Sequence, residues 1–267
     1  MLAITIIASG ADYQRAVALA AATYAVHSSP VKSVTVLLPG VEKPLRVLRK
    51  YSKAFRFDVE HFPFAQRDAR SKTTFLKCEA FVWKTARLRE GDLALFADAD
   101  TCCVKPIRMP TAARQRILAG AVGMSADVED RHFNDPREPG YLYPHERATY
   151  VNSGVMFASR NSISFFRKVL DLAMEPRFQI GPYHDQKVIN YGLGRHFRDR
   201  LVLMDTRYNS ISAINQNAII VHFAGGAGYF GRHPRSRLHA RLCEDLLRFA
   251  AARRLPDKTM LASKTKV

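Results

Sequence analysis

The 267-residue sequence is short of the features that announce a class. It holds four cysteines and one tryptophan. Cys78, Cys102, Cys103 and Cys243 make no C-x-x-C pair, and the adjacent two are poorly placed for a mutual disulfide. That speaks against a zinc knuckle or a disulfide framework and for thiols in a reducing compartment. No run reaches the ~18 apolar residues of a membrane helix. The N-terminus, MLAITIIASGADYQ, lacks a basic leader region and a small-residue cleavage site, so it reads as a first strand. Together these absences predict a cytoplasmic protein. Acid is also scarce, with 24 Asp and Glu against 41 Lys and Arg, a net charge of +17. The excess is strongest at the C-terminus, where residues 231–267 carry ten basic and three acidic side chains. Such a balance implies anionic partners: nucleic acid, anionic lipid or phosphorylated substrates.

What is present is an ordinary globular composition, 47% hydrophobic, on a chain long enough for one large domain. Periodicity predicts strands at Ile4–Ala8, Val34–Leu38, Phe57–His61 and Leu93–Ala97. Helices are expected from Tyr13 to about Val26 with Asp12 as cap, at Pro44–Tyr51 and at Thr74–Leu88. This alternation predicts an α/β fold with a mostly parallel central sheet and helices on both faces, with ligands collecting at the carboxyl ends of the strands. Further strands are expected at Leu118–Met124, Val151–Ala158, Leu201–Met204 and Ala218–Phe223. Ser164–Ala173 and Asp185–Tyr191 read as helices, the second capped by Asp185 and ended by Gly192. Ser236–Arg254 reads as a closing amphipathic helix with Leu238, Leu242, Leu246 and Phe249 on its apolar face. The Pro-rich stretch from Val128 to Tyr150 is too long for a passive loop, and Tyr141, Tyr143 and His145 in it are suited to stacking on a ligand. The domain expectation is a catalytic domain over 1–231 and a basic helix and tail over 232–267.

Four motifs carry chemistry. In LFADADTCCVKPI the apolar run ends on Asp98 and Asp100, whose carboxylates share a face of an extended backbone. Such a pair either binds a divalent cation through hard oxygen ligands or lies solvated on a turn, or paired with Lys105. In IIVHFAGG, His222 is either a core residue or a third ligand, and imidazole favours Mn²⁺ over Mg²⁺. The following GAGYFG matches a dinucleotide fingerprint, but Pro234 comes too soon and no βαβ unit follows; a glycine-rich phosphate approach is the weaker alternative. In YVNSGVMFA, Asn152 and Ser153 either meet a hydroxylated ligand or belong to a bulge at Gly154. In YHDQKVINYG, Asp185 is either a helix cap or part of a site.

In order, FLKCEAFVW, FADADTCCVKPI, YVNSGVMFA, HDQKVIN, RYN and HFAG resemble the GT-A nucleotide-sugar glycosyltransferases of family eight, the glycogenin and bacterial lipopolysaccharide galactosyltransferase group. The likeness spans residues 4 to about 228. It implies a metal-dependent hexosyltransferase that uses a nucleotide-diphosphate sugar, a UDP-sugar by preference, and a saccharide or lipid-linked saccharide acceptor, with retention of configuration. Asp98, Asp100 and His222 would hold Mn²⁺ or Mg²⁺, with Ala99 between the aspartates. Ala8, Ser9, Gly10 and Tyr13 match the uridine edge, Lys77 the cation at the donor's sugar or phosphate, and Asp127 a holder of the sugar hydroxyls. Asn152 and Ser153 line the sugar pocket, and Asp185 and Gln186 lie at the reacting carbon. The family's lysine-bearing segment after the histidine is replaced here by GGAGYFGRHP, so the diphosphate contacts fall to Gly225 and Arg232. Gln186 is a poor nucleophile, and with Asp185 used as a cap the expected route is front-face attack. The basic C-terminus resembles the membrane-facing segments of that group. A nucleotidyltransferase of similar fold is the alternative, though ASGADYQRA lacks its basic glycine-rich loop. A nucleic-acid-binding protein without catalysis is another, though no named motif supports it.

Overall fold

The computed structural model describes residues 1–27, 31–40, 42–64, 72–127, 149–178, 184–211, 216–225 and 231–251. The loop aromatics Tyr141, Tyr143 and His145, most of GAGYFG, and the tail beyond Ala251 lie outside these residues. The strands are β1 (Leu2–Ile7), β2 (Val31–Pro39), β3 (Asp58–Phe62), β4 (Leu93–Ala97), β5 (Thr101–Cys103), β6 (Val122–Ala126), β7 (Val151–Ser159), β8 (Leu201–Met204), β9 (Ser210–Ile211) and β10 (Ile220–His222). The helices are α1 (Ala11–His27), α2 (Arg46–Phe55), α3 (Lys72–Ala86), α4 (Thr111–Leu118), α5 (Ile163–Ala173), α6 (His184–His196) and α7 (Pro234–Ala251). Seven strands form a mixed sheet in the order β3-β2-β1-β4-β7-β6-β8, and a smaller sheet runs β5-β10-β9. β1 and β2 are parallel, as are β6 and β8, while β6 and β7 are antiparallel.

The chain divides into two compact units. The first comprises Met1–His61, Ala97–Arg108 and Asp205–Val267. Its centre is α1, which buries Ala16, Ala18, Ala20, Ala21, Ala22, Val17, Leu19 and Tyr24. A helix apolar nearly all round belongs in a core, and its alanines let neighbours come close. Two polar groups on it anchor β5: Tyr24 Oη donates to Thr101 Oγ1 at 3.0 Å, and Thr23 Oγ1 accepts from the Cys103 amide at 3.1 Å. Asp12 is not the cap. The helix begins one residue earlier, at Ala11, so Asp12 sits in the first turn and pairs with Arg15 and Arg232. On α7, Leu242 and Leu246 are buried as expected, with Cys243 and Leu247, but Leu238 is exposed because the buried face turns toward Ser236 and His239 instead.

The second unit comprises Phe62–Phe96 and Met109–Met204. Phe81, Phe96 and Phe166 pack mutually in tilted and edge-on contacts, with ring centres 4.7 to 5.7 Å apart. The strand expected at Leu118–Met124 is instead the end of α4, a turn at Gly120 with φ +109, and the start of β6. Gly192 does not end α6; the helix runs on to His196. Gly192 lies inside the helix where α6 packs on α5, and a Cβ there would lie 3.4 Å from Val169, an ordinary van der Waals contact.

Candidate functional site

In the first unit, β4 ends at Ala97 and the chain turns through Asp98, Ala99 and Asp100 into β5. The two aspartates therefore lie on a turn rather than on the extended backbone expected from their spacing. Thr101 closes the turn: its amide donates to the Asp98 carbonyl at 3.2 Å, and its hydroxyl to the same oxygen at 2.7 Å. Lys105 does not pair with the aspartates; it donates to the Gln216 carbonyl. β10 runs antiparallel to β5 with His222 opposite Thr101, and the Phe223 amide donates to the Asp100 carbonyl at 3.0 Å. This pairing brings His222 Nε2 to 3.4 Å from Asp100 Oδ1 and 3.9 Å from Asp98 Oδ2.

One ligand atom from each of the three residues lies within 4.8 Å of the others. Asp100 and His222 are buried, and Asp98 is partly open. Two carboxylates and an imidazole converging on one point suit a divalent cation. His222 is oriented for that role by Asn209, a residue to which sequence reasoning gave no role. Asn209 Oδ1 lies 3.1 Å from His222 Nδ1. With Nδ1–H donating to that oxygen, the Nε2 lone pair is directed at the aspartates, as in a metal-bound histidine whose other ring nitrogen is held by a hydrogen-bond acceptor. His239 Nε2 lies 3.0 Å from the Thr101 carbonyl, and burial lowers its pKa, which keeps the ring neutral.

The residues expected at the uridine edge lie in the same unit. Gly10, at φ +83, makes the turn between β1 and α1. Its amide donates to Glu42 Oε1 at 2.7 Å, and the Ser9 hydroxyl to Glu42 Oε2 at 3.1 Å. The buried Gln14 also donates to Glu42, at 2.7 Å. Neither Glu42 nor Gln14 was marked in the sequence, because their meeting depends on β2 pairing beside β1. Ala8 is buried and Tyr13 is exposed. Gly225 adopts φ +82, and the exposed Arg232 pairs with Asp12.

The second unit holds Lys77, Asp127, Asn152, Ser153, Asp185 and Gln186. Between β6 and β7 the register jumps: Met124 faces Met156, yet Ala126 faces Val151. The excess residues of β7 include Asn152 and Ser153, so the bulge and the polar cluster are the same feature. Asp185 is not a helix cap. α6 begins at His184, and the Asp185 carboxylate instead accepts from Lys77 Nζ at 2.9 Å and Ser153 Oγ at 3.0 Å. Burial pushes this carboxyl up, but the Lys77 cation and the hydrogen bonds outweigh it and hold the group below its ordinary value.

Gln186 is buried and its amide is fully engaged. Nε2 donates to Asp127 Oδ2 at 2.7 Å and to Tyr150 Oη at 3.1 Å. Oε1 accepts from Asn152 Nδ2 at 3.1 Å and the Ser153 amide at 3.2 Å. Asn190, one turn along α6, accepts from the Val151 amide and donates to the Val151 carbonyl, both at 2.8 Å. Tyr150 and Asn190 complete a network that the sequence motifs only half displayed.

No known family profile matches the chain, and no curated protein does. Among solved structures it is similar to the galactosyltransferase LgtC, determined in complex with donor and acceptor sugar analogues. The TM-score is 0.60 at 14% identity, over 91% of this chain and 95% of that one. The fold is that of a GT-A glycosyltransferase. No helix among the described residues is long and apolar enough to cross a membrane.

Proposed function

We propose that the protein is a metal-dependent hexosyltransferase of the family-eight type. Its donor is a UDP-sugar, its cation Mn²⁺ or Mg²⁺, and its acceptor a saccharide or lipid-linked saccharide such as those of lipopolysaccharide assembly. The observation that carries this reading is the convergence of Asp98, Asp100 and His222 in a GT-A fold. The chemistry supplied by a divalent ion there is charge neutralisation on the departing diphosphate.

The chain's own residues divide the remaining work. The Ala8-Ser9-Gly10 turn and Tyr13 receive the uridine, and Gly225 and Arg232 approach the diphosphate, guanidinium being well suited to phosphate. Asn152, Ser153 and Asp127 meet the sugar hydroxyls. Gln186 acts as a positioning residue, because all its polar atoms already hold Asp127, Tyr150, Asn152 and Ser153 in place. Lys77 holds Asp185 ionised beside the reacting carbon, where its negative charge stabilises the cationic sugar of the transition state.

With its Oδ2 committed to Lys77 and Ser153, Asp185 is a weak nucleophile, which favours front-face attack. The bond from C1 to the diphosphate oxygen breaks, the acceptor oxygen bonds to C1 on the same face, and the acceptor's proton passes to the departing phosphate. The basic segment over 232–267 makes peripheral contact with an anionic membrane on the cytoplasmic side.

A thermal-shift panel of UDP-, GDP- and CDP-sugars with and without Mn²⁺ tests the donor, because a ligand that binds only the folded state raises its stability. UDP-sugars are expected to stabilise in a Mn²⁺-dependent way; stabilisation by none of them contradicts the reading. NMR of the product's anomeric configuration tests the stereochemistry, and inversion contradicts front-face attack.

A further inference from the structure

From Lys43 to Phe57 the chain carries six basic residues and no acid. Four of them, Arg46, Arg49, Lys50 and Lys53, are spaced i, i+3, i+4 and i+7 on α2, so they form one row along its surface. At 1.5 Å per residue the row is about 10 Å long. All four are exposed, while Leu48 on the opposite side is fully buried. Arg56 extends the row past the C-terminus of the helix, and it too is exposed. No carboxylate among the described residues pairs with any of the five.

Arg56 adds an independent observation. It is the sole non-glycine among the described residues with positive φ, +58, at the C-terminal turn of α2. Glycine is the residue that this conformation favours. A cation kept at a position suited to glycine points to a use for the charge.

We propose that this face of α2 is a docking surface for an anionic lipid membrane. A straight row of unpaired cations complements a planar sheet of lipid phosphates. Beside the row lie Val47, Tyr51 and Phe55, all half-buried, which supply the apolar flank of an interfacial helix. Tyr51 and Phe55 pack on each other with ring centres 5.6 Å apart, so their contact serves the helix rather than stacking with a nucleic-acid base. Tyr51 on the flank of the row lies near Glu244 and Cys243 of α7, so this face adjoins the C-terminal helix, but its basic row is carried by α2 and does not depend on sugar transfer.

The test is co-sedimentation of the full chain with phosphatidylcholine vesicles and with vesicles containing about 30% phosphatidylglycerol, at low and raised salt. Binding is expected only to the anionic vesicles and weakens with salt. Each basic residue near an anionic surface contributes about fivefold to binding, so the triple variant R49Q/K50Q/K53Q loses about a hundredfold. Its unfolding midpoint is unchanged, and K50R/K53R binds as the parent does. Arg56→Gly separates charge from structure: it raises the unfolding midpoint while weakening binding about fivefold.

Vesicle binding that ignores lipid charge overturns the proposal. So does loss confined to the α7 variant R237Q/R241Q with the α2 triple variant unaffected. Duplex DNA that binds more tightly than the vesicles, through the same α2 residues, assigns the surface to nucleic acid instead. None of these readouts involves a sugar nucleotide, so the proposed transferase activity stands or falls separately.

Discussion

Asn209 Oδ1 lies 3.1 Å from Nδ1 of His222, and both residues are buried. The amide oxygen fixes which ring nitrogen carries the proton and so which one faces Asp98 and Asp100. Replacing Asn209 with Leu removes the acceptor and lets the ring rotate or change tautomer. Mn²⁺ affinity, followed by electron paramagnetic resonance, is expected to fall by about 10- to 100-fold. Asn209→Asp keeps an acceptor at the same place and retains most of the affinity.

The Lys77–Asp185 pair makes a stability prediction with a definite sign. Asp185 is held below its ordinary value of 3.8. The pair's contribution is therefore present above pH about 4 and is lost as the pH falls through the depressed folded value. Lys77→Met leaves an ionised, largely buried carboxylate without its cation, a loss on the order of 3 kcal/mol at neutral pH. In that variant the Ser153 hydrogen bond remains but burial, the largest cause, is no longer offset by a cation, so the Asp185 pKa rises and the pH dependence reverses: stability recovers as the pH drops through the raised folded value. Urea denaturation at pH 7 and at pH 5 distinguishes the two behaviours.

Cys78, Cys102, Cys103 and Cys243 are all buried and unpaired. Burial is the leading cause that raises the pKa of Cys78, Cys103 and Cys243 above the free-thiol value. Such thiols are inert while the protein is folded. A chromogenic disulfide reagent is expected to label none of them in the native state and all four after denaturation.

Gly120 sits at φ +109 between α4 and β6, and a Cβ there would meet the Asn161 carbonyl oxygen at 2.9 Å. Alanine adds backbone strain and a contact with a main-chain atom that has little room to move. A loss of about 2 kcal/mol is expected in urea denaturation. Donor binding should be unaffected, since Asn161 and Gly120 belong to none of the polar networks described.

Much of the fold was legible because its strands are short apolar runs with clear ends. Leu93–Ala97 and Leu201–Met204 fall where the pattern placed them. α4 was missed because TAARQRIL has only a weak apolar face and follows Pro110 with no polar side-chain cap. The meeting of Asp98, Asp100 and His222 was expected from the resemblance, though the local pattern of each motif does not display it. His222 reaches Asp100 through the antiparallel pairing of β5 and β10, and neither three-residue strand announces its partner. Asp185 looked like a cap because local sequence cannot reveal Lys77, which approaches from α3. Glu42, Tyr150, Asn190 and Asn209 were passed over for the same reason: each acts on a residue distant in sequence, and its type alone is ordinary.

The central claim is that Asp98, Asp100 and His222 hold the divalent ion that serves a sugar nucleotide. Titrating Mn²⁺ into the protein by electron paramagnetic resonance, with and without UDP, tests it most directly. The account predicts a single site that tightens when UDP is present and weakens by at least about a hundredfold in Asp100→Asn. Mn²⁺ binding equal in the parent and in Asp100→Asn, or no binding even with UDP, would contradict it.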